Sequence, residues 1–433
     1  MKHICLSSKC GISIEPKELA ENETPDFDIN TFSSFSPLVC IYKKASPIMR
    51  NVDNVLTWNE DKFKKEINVT GNGFMTLGLL ELASYYDSFR DISKNLYSYK
   101  NLYLTLAKKQ LEFYAANLRN EEGLFVDKTY LNSDEDSHLQ FEKKDKKFRF
   151  SDQTFLMAAF YKYSCLTGND KDDVYEKFSY DILSMLEEFK EEIYELSLYE
   201  TAKVCFGLNI FYIYSGSEKV KMFMLDISDL LLDKYIKHEN IANDDKLECN
   251  CLTYMNFKLC SKATNIEKFE NAAQNIHENL LELYNQELGI FIKPGEKKDM
   301  SMSCTEIMFY LLSLLIDSND EKEDNVEIVD VFKHQVLNSG IILSWPETPD
   351  IKSVERYRNY SLKTSDILED SNFRMPTVPS PHNNEMAPVF TKYVVYDKKK
   401  ECFKQSKPSF DSTKNMSIYF MTIFFNNLNK KTD

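Results

Sequence analysis

Hydrophobic residues recur along most of the chain with the period of an α-helix. In the clearest stretch, residues 265–284, they follow one another at steps of three and four: Ile266, Phe269, Ala273, Ile276, Leu280 and Leu283. Steps of this size place the side chains on one face of a helix. Similar one-sided stretches lie at about 97–118, 171–189, 217–237 and 324–337.

A second kind of stretch is hydrophobic on nearly every side, which indicates a helix buried on all faces. Six such stretches alternate with the one-sided helices, at 74–86, 154–166, 202–214, 252–259, 307–316 and 418–428. Their polar starts fall near positions 74, 152, 200, 249, 304 and 415. The middle intervals are about 50 residues each, close to one helical hairpin, and such a period indicates a helical repeat.

A repeat of hairpins can form an open solenoid or a closed ring. Six buried helices with one-sided helices outside them fit an all-α (α/α)6 toroid, which we expect over residues 71–433. Residues 1–70 then form an irregular segment packed on the toroid, and loops are inserted at about 119–150 and about 339–410, the second carrying a small β-hairpin. We expect about 55–65% helix, with strand confined to the first 70 residues and the second insert. The sixth buried helix lacks an outer partner, and residues 60–67 are predicted to fill that gap.

Two glycines, in a chain that has only 11, support the hairpin repeat. Gly123 in NEEGLFVDK and Gly289 in NQELGIFIK each follow a one-sided helix and precede a hydrophobic triplet. A left-handed residue ends a helix at little cost when it is glycine. We therefore predict that both glycines end outer helices and that the triplets are short extended segments.

Composition narrows the class of function. A net charge of −15 argues against a nucleic-acid binder, because phosphate contacts need clustered Lys and Arg. The chain begins without the apolar segment of a signal peptide, and no apolar run is long enough to cross a membrane. We expect a cytoplasmic protein with no disulfide among its ten cysteines and with no nucleic-acid or membrane partner. Low glycine with abundant Lys, Asn, Ile and Glu is typical of an AT-rich bacterial genome, and the oligomeric state stays open.

The alternating hairpins and their glycine turns resemble the six-hairpin glycosidase-like superfamily over residues 70–430. That superfamily includes glucanases, unsaturated glycuronyl hydrolases, acylglucosamine-type epimerases and polysaccharide lyases. The resemblance implies hydrolase, lyase or epimerase chemistry, without a cofactor, on a small-molecule or oligosaccharide ligand. It also implies a site in the funnel formed by the loops before the inner helices. A fold-level resemblance does not select one of these activities.

Asp152 and Glu200 are the leading candidates for a catalytic pair in that funnel. They open adjacent buried helices, and glycoside cleavage needs one protonated and one ionised carboxyl. The same residues also suit a simpler role, because acidic side chains cap helix starts and match the helix dipole. Candidates for substrate binding come from other helix starts and from the second insert: Gln153, Asn250, Glu306, Trp345, Arg374, His382 and Asp411.

Two other functions stay open from the sequence. A funnel plugged by Phe and Tyr would indicate a non-catalytic scaffold that binds a peptide or protein in its concavity. Cys249, Cys251 and Cys304 open neighbouring buried helices and, with His382, have the composition of a zinc site in a zinc-dependent peptide-modifying enzyme. Buried thiols explain the three cysteines more simply, so we predict no metal.

Overall fold

The computed structural model describes residues 1–20, 35–52, 55–131, 139–143, 148–168, 173–238, 246–295, 298–316, 326–344, 385–404 and 406–429. Of these residues, 62% are helical, within the range that the hydrophobic period predicts. The α-helices are α1 Lys2–Ser7, α2 Lys17–Ala20, α3 Val69–Asp87, α4 Lys94–Asn117, α5 Phe150–Thr167, α6 Val174–Glu188, α7 Lys190–Tyr194, α8 Leu198–Ser215, α9 Glu218–His238, α10 Lys246–Thr264, α11 Glu267–Leu281, α12 Cys304–Ile316, α13 Val326–Val331 and α14 Ser412–Asn429. None of these described helices is long and apolar enough to cross a bilayer.

Six helices form a closed inner ring, consisting of α3, α5, α8, α10, α12 and α14. Each packs against the next, and α14 packs against α3 to close the ring. Their hydrophobic residues surround the helix axis, so burial on every side is the arrangement that removes most apolar surface from water. Helices α4, α6, α9, α11 and α13 pack outside the inner helices that precede them. The chain therefore has the predicted (α/α)6 toroid fold.

The start of the chain covers the outside of the seam between α14 and α3. Helix α1 buries Ile4, Cys5 and Leu6. The Met1 side chain lies against Gly78 of α3, where an added Cβ would be 2.5 Å from the Met1 methyl group. The prediction that residues 60–67 fill this gap is wrong. They form a 3-10 turn, Glu60–Lys62, and a strand, Lys64–Ile67, whose backbone pairs instead with Leu38–Ala45 and Lys128–Leu131.

Short antiparallel strands connect the helices, and strand is not confined to the two predicted regions. The strands are β1 Gly11–Ser13, β2 Leu38–Ala45, β3 Met49–Val52, β4 Val55–Trp58, β5 Lys64–Ile67, β6 Lys128–Leu131, β7 Gln140–Lys143, β8 Tyr284–Asn285, β9 Ile290–Phe291, β10 Asp299–Ser303, β11 Tyr393–Asp397, β12 Cys402–Lys404 and β13 Phe410–Asp411. The main sheet has the order β1-β2-β5-β6-β7, with β13 also paired to β2, and β10-β11-β12 form a second sheet. Strands β6 to β10 lie outside the predicted regions, because connecting segments pair their backbone groups with neighbouring segments. The hairpin predicted in the second insert is present as β11 and β12.

Both glycines have the predicted left-handed conformation, but the prediction that they end outer helices is wrong: α4 ends at Asn117 and α11 at Leu281, and each glycine lies in the turn that follows. Gly123 has φ +85° and Gly289 has φ +62°, both in the left-handed region that side chains rarely adopt. Phe291 lies in β9, which pairs with β8, and Phe125 forms an isolated bridge with Arg119. The recurrence of the glycine motif therefore reflects a recurrence of the turn between an outer helix and the next inner helix.

A buried glutamine fixes each of these two turns. Gln153 of α5 accepts from the Phe125 N–H at 3.1 Å and donates to the Phe125 carbonyl at 2.9 Å. Gln335, in the π-helical continuation of α13, bonds both backbone groups of Phe291 in the same way, at 2.9 and 3.3 Å. The amide imitates one rung of a β-ladder, so it satisfies backbone groups that would otherwise be buried without partners.

Candidate functional site

A cavity of about 270 Å³, here called the deep cavity, lies at the N-terminal ends of the inner helices, and all six contribute to its wall. Several inner helices place a polar residue in the first turn and an apolar residue one turn later on the same face. The apolar residues form the floor: Phe74, Phe155, Phe206, Leu252, Phe309 and Met421. The polar wall above consists of Lys43, Asn68, Thr70, Arg149, Tyr199, Lys203, Glu248, Thr305, Asp411, Thr413, Lys414 and Ser417.

Glu248, in the first turn of α10, is the carboxylate at which four inner helices meet. It accepts hydrogen bonds from the hydroxyl of Tyr199 in α8 and from the hydroxyl of Thr305 in α12, the latter at 2.6 Å. The Nζ of Lys414 in α14 lies 3.4 Å from its Oε2 and also donates to Thr305 at 2.6 Å. The carboxylate, the ammonium group and the two hydroxyls are thus held together by four different helices of the inner ring.

The electrostatics of this cluster keep Glu248 and Lys414 charged. Burial raises the pKa of Glu248, but Lys414, the bonds from Thr305 and Tyr199, and Lys203 lower it more, so the net pKa is below its ordinary value. Burial lowers the pKa of Lys414, but the nearby Glu248 and Cys304 raise it to a net value above the ordinary one. Both groups are therefore ionised near neutral pH.

A larger cavity of about 670 Å³ adjoins the deep cavity and shares Glu248 and Lys414 with it. It lies between α12 and the β10-β11-β12 sheet. Its remaining lining residues are Lys293, Pro294, Gly295, Asp299, Met300, Ser301, Ser303, Glu306, Lys392, Tyr393 and Lys398. The Glu248–Lys414 pair therefore stands at the boundary between two spaces rather than at the end of one.

Asp152, one of the two acids suggested as a catalytic pair, does not line the deep cavity. It is 2% exposed and accepts hydrogen bonds from Thr70 Oγ1 at 2.5 Å and Arg149 Nε at 2.9 Å. Thr70 and Arg149 themselves line the cavity, so Asp152 lies behind its wall. Burial raises the pKa of Asp152 to about 6, against the lowering effect of Arg149.

Glu200, the other suggested acid, is also absent from the lining. Its Oε1 accepts from the N–H of Ser151 at 3.3 Å and from the Ser151 hydroxyl at 2.6 Å, at the N-terminus of α5. Lys203 lies 3.7 Å from its other oxygen. The expected placement of Asp152 and Glu200 around one open cavity is therefore not observed, because each is bound by neighbouring helix residues. Their catalytic role stays a prediction from the sequence.

Two other predicted site residues line a cavity while also holding a helix start. Glu306 lines the larger cavity, its carboxylate accepts from the Ser303 N–H at 2.7 Å, and its own N–H donates to Ser303 Oγ at 3.1 Å. This reciprocal pair is a capping box. Lys293 lies 2.8 Å from Glu306. Asp411 lines the deep cavity and accepts from the Lys414 N–H at 3.2 Å.

The remaining predicted binding residues do not meet at the site. Gln153 uses its amide on the Phe125 backbone, as described above, and lines neither cavity. Asn250 is half-buried in α10 and also lines neither. Trp345, Arg374 and His382 lie outside the described residues.

The two alternative functions can be compared with this geometry. Cys249, Cys251 and Cys304 are buried thiols, and burial raises the pKa of Cys304 to about 12. Within the described ranges no group of three His, Cys, Asp or Glu residues is placed to hold a metal. The phenylalanines expected of a plugged scaffold form only the floor, and the polar wall above them encloses open space.

Glu248 was missed by the sequence analysis, although a signal for it exists. Asp152, Glu200 and Glu248 are evenly spaced along the chain and occupy the first turns of three successive inner helices. Asn250, two residues later, is the polar residue predicted from the sequence at the start of that helix. Applying the hairpin period to acidic residues alone would have placed Glu248 beside the other two.

Solved structures of three other proteins share this architecture. A sugar epimerase from a ruminal bacterium aligns over 89% of this chain and 92% of its own, with a TM-score of 0.52 and 10% identity. The six-hairpin toroid is confirmed. The cellobiose 2-epimerase of Bacillus thermoamylovorans B4167 aligns over 95% and 96%, with a TM-score of 0.51 and 9% identity. A D-mannose isomerase aligns over 96% of both chains, with a TM-score of 0.52 and 9% identity. No protein-family model and no curated protein matches the sequence. At identities this low, the structural likeness establishes a shared fold and nothing further.

Proposed function

We propose that this protein is a sugar-converting enzyme of the isomerase or epimerase type, which moves a proton at the carbon beside a carbonyl group. The observation that carries the proposal is the Glu248–Lys414 pair, 3.4 Å apart in the wall of the deep cavity. Removing such a proton needs an ionised base and leaves negative charge on the carbonyl oxygen, which a cation next to the base is placed to stabilise.

Each polar group of the cluster has a role in this reaction. Glu248 takes the proton from carbon, and the Lys414 ammonium stabilises the negative charge that develops on the oxygen. The hydroxyls of Tyr199 and Thr305 bond the same carboxylate, so each passes its own proton to the oxygen or the carbon while taking the proton that Glu248 removed, which restores both groups. The ring positions all four groups before substrate binds, which lowers the reorganisation needed in the transition state.

The shape of the deep cavity also suits a sugar. An apolar floor packs against the C–H face of a sugar ring, as aromatic side chains do, while hydroxyls and charged groups above it bond the sugar hydroxyls. The structural neighbours with this fold include two proteins named as epimerases and one named as an isomerase. At such low identity they support the proposal as analogy.

Glycoside hydrolysis fits the same cavity less well. It needs a second carboxyl that stays protonated and faces the scissile bond. Asp411, the other carboxyl of the described lining, is engaged with the N–H of Lys414. Asp152 has the raised pKa of a proton donor but lies behind Thr70 and Arg149.

Proton exchange in D2O tests the proposal. The protein is incubated with a panel of reducing mono- and disaccharides, and deuterium at the carbon beside the carbonyl is read by NMR. We expect wild type to introduce deuterium and form the isomer, and Glu248→Gln to lose at least about 100-fold in exchange rate. Absence of exchange and of isomer across the panel would overturn the proposal.

Two further variants sharpen this test. Glu187→Gln removes an acid from the ion pair with Lys219, 2.8 Å apart on the outer helices, and should leave exchange unchanged. Glu200→Gln distinguishes the proposal from the pair suggested by sequence. Loss of activity in Glu200→Gln with retention in Glu248→Gln would return the site to Asp152 and Glu200.

A further inference from the structure

We infer that the substrate is an acidic sugar of at least two units, with the reacting unit in the deep cavity and the next unit in the larger cavity. This inference rests on the proposed function, since it takes the Glu248–Lys414 pair as the reacting centre. It adds a substrate class from two observations, the junction of the two cavities and the charge of the deep one.

The size of the substrate follows from the position of the reacting pair. The deep cavity, about 270 Å³, is slightly smaller than the roughly 300–1,000 Å³ typical of small-molecule sites. The larger cavity adds about 670 Å³ and begins at the same two side chains. A sugar that reacts at Glu248 and continues into the larger cavity uses both spaces, whereas a single ring leaves the larger one filled with water.

The charge of the substrate follows from the lysine and arginine side chains of the deep cavity. Its described lining holds four cationic and two acidic residues, in a chain whose overall charge is −15. Three of the four cations have acidic partners. Arg149 bonds Asp127 and Asp152, Lys414 pairs with Glu248, and Lys203 pairs with Glu200.

Lys43 is the fourth cation, and it has no such partner. It is half-buried in β2, lines the deep cavity, and makes no hydrogen bond or ion pair with another residue in the described part of the chain. A cation withdrawn from water without a counter-charge loses solvation free energy. An anionic group on the ligand offsets that loss and gains a charge-assisted hydrogen bond. The six helix N-termini that surround the cavity add positive potential in the same sense.

The acidic group can be a carboxylate or a phosphate, because both pair with an ammonium group. The probes therefore include both chemistries. We would measure calorimetric binding of glucose, glucuronate, glucose 6-phosphate, cellobiose and glucosyl-1,4-glucuronate, whose reducing unit carries the carboxylate, to wild type. We expect the acidic disaccharide to bind at least about tenfold more tightly than cellobiose, the gain of one charge-assisted bond, and more tightly than glucuronate. The affinity of glucose 6-phosphate relative to glucuronate identifies the preferred anion.

Variants assign the charge preference to Lys43. Lys43→Met should lower the affinity for the acidic disaccharide to about the affinity for the neutral one. Lys262→Met changes an exposed lysine in the last turn of α10, far from the cavity, and should keep the full preference. The inferred acidic character of the substrate is overturned if wild type binds acidic and neutral disaccharides with equal affinity. It is also overturned if both variants lose the same part of the preference for the acidic disaccharide. Equal affinities for glucuronate and the acidic disaccharide overturn the inference that the substrate has at least two units.

The outcomes also separate this inference from the proposed function. If neutral sugars exchange deuterium and acidic probes are not preferred, the inferred substrate class is wrong and the proposed activity stands. Acidic sugars that bind but never exchange would remove the proposed reaction and leave the ligand class. If no probe binds and none exchanges, both are wrong.

Discussion

Two glutamate–lysine pairs stand at opposite ends of the same ring. At the upper end, Glu248 and Lys414 lie 3.4 Å apart between the N-terminal halves of α10 and α14. At the lower end, Glu81 and Lys162 lie 3.2 Å apart between the C-terminal halves of α3 and α5. The two pairs have the same chemistry and nearly the same distance, so any difference in their roles must come from their surroundings.

The lower pair is sealed. Glu81 is 2% exposed and Lys162 is 7% exposed. The hydroxyl of Tyr214 donates to Glu81 at 2.7 Å, the amide of Asn427 donates to its other oxygen at 2.7 Å, and Lys162 lies 4.3 Å from the centre of the Tyr214 ring. Because the partners come from α3, α5, α8 and α14, this cluster ties four inner helices together at the base.

The upper pair has a tyrosine donor as well, but it opens onto two cavities. Glu248 and Lys414 can therefore exchange a bond to each other for a bond to a ligand, whereas Glu81 and Lys162 cannot. Access to a cavity, rather than the residue types or their spacing, is what distinguishes the proposed reactive pair from the sealed one in this ring. Variants at both ends of the ring test that distinction.

Glu81→Gln should give the largest loss of stability. It leaves the Lys162 charge buried without its counter-charge, which costs about 3–5 kcal/mol of the free energy of unfolding. Urea titration measures the loss, and proton exchange per folded molecule should stay at the wild-type value. Adding Lys162→Met removes the orphaned charge and should recover most of the stability. A single variant as stable as wild type would show that the lower pair does not hold the ring together.

Lys414→Met should instead act on turnover. Loss of the cation beside the developing negative charge lowers the exchange rate by about 10²–10³-fold. Lys414 is also the main group that lowers the pKa of Glu248, so the pKa of Glu248 rises in the variant. Because Glu248 must be ionised to accept a proton, the acid limb of the rate–pH profile should move to higher pH. An unmoved acid limb would contradict the role of Glu248 as the base.

The ring itself could be predicted from the sequence because buried helices recur as hydrophobic stretches at regular intervals along the chain. Helices that are apolar on every side must lie inside, and turns such as that of Gly289 must recur with the hairpin. The same period marks the acids at the helix starts, but it does not select the proposed base among them. Asp152, Glu200 and Glu248 hold equivalent positions, and only the donors around each decide which one faces open space. Ser151 engages Glu200 from 49 residues away, and Tyr199 and Thr305 engage Glu248 from 49 and 57 residues away, so contacts between segments distant in sequence decide which acid faces the cavity.

Asp152 is a buried acid at the upper end, and its effect on the free energy of unfolding shows whether it is structural, as the lower cluster is. Burial raises its pKa from 3.8 to about 6, so the native state retains a proton that the unfolded chain releases. Stability is therefore full below about pH 4 and falls by about 1–3 kcal/mol as the pH rises to about 6. Asp152→Asn lacks this loss, so the difference in unfolding free energy between variant and wild type should grow over that range. A pH-independent difference would show that Asp152 is solvated.

The smallest effect separates backbone strain from crowding in the two glycine turns, both at the upper end. Alanine at either position must adopt a positive φ, which costs about 1–2 kcal/mol. A Cβ at Gly123 lies 2.7 Å from the far end of the long Arg119 side chain, which has more torsions with which to yield than a histidine ring has, although its Nε donates to the Gly123 carbonyl oxygen at 2.8 Å. A Cβ at Gly289 lies 2.5 Å from the ring of His334, whose Nδ1 is 3.2 Å from the Gly289 carbonyl oxygen. Gly289→Ala should therefore lower the unfolding free energy more than Gly123→Ala does, by up to about 1 kcal/mol. Equal losses in thermal unfolding would show that His334 yields as easily as Arg119.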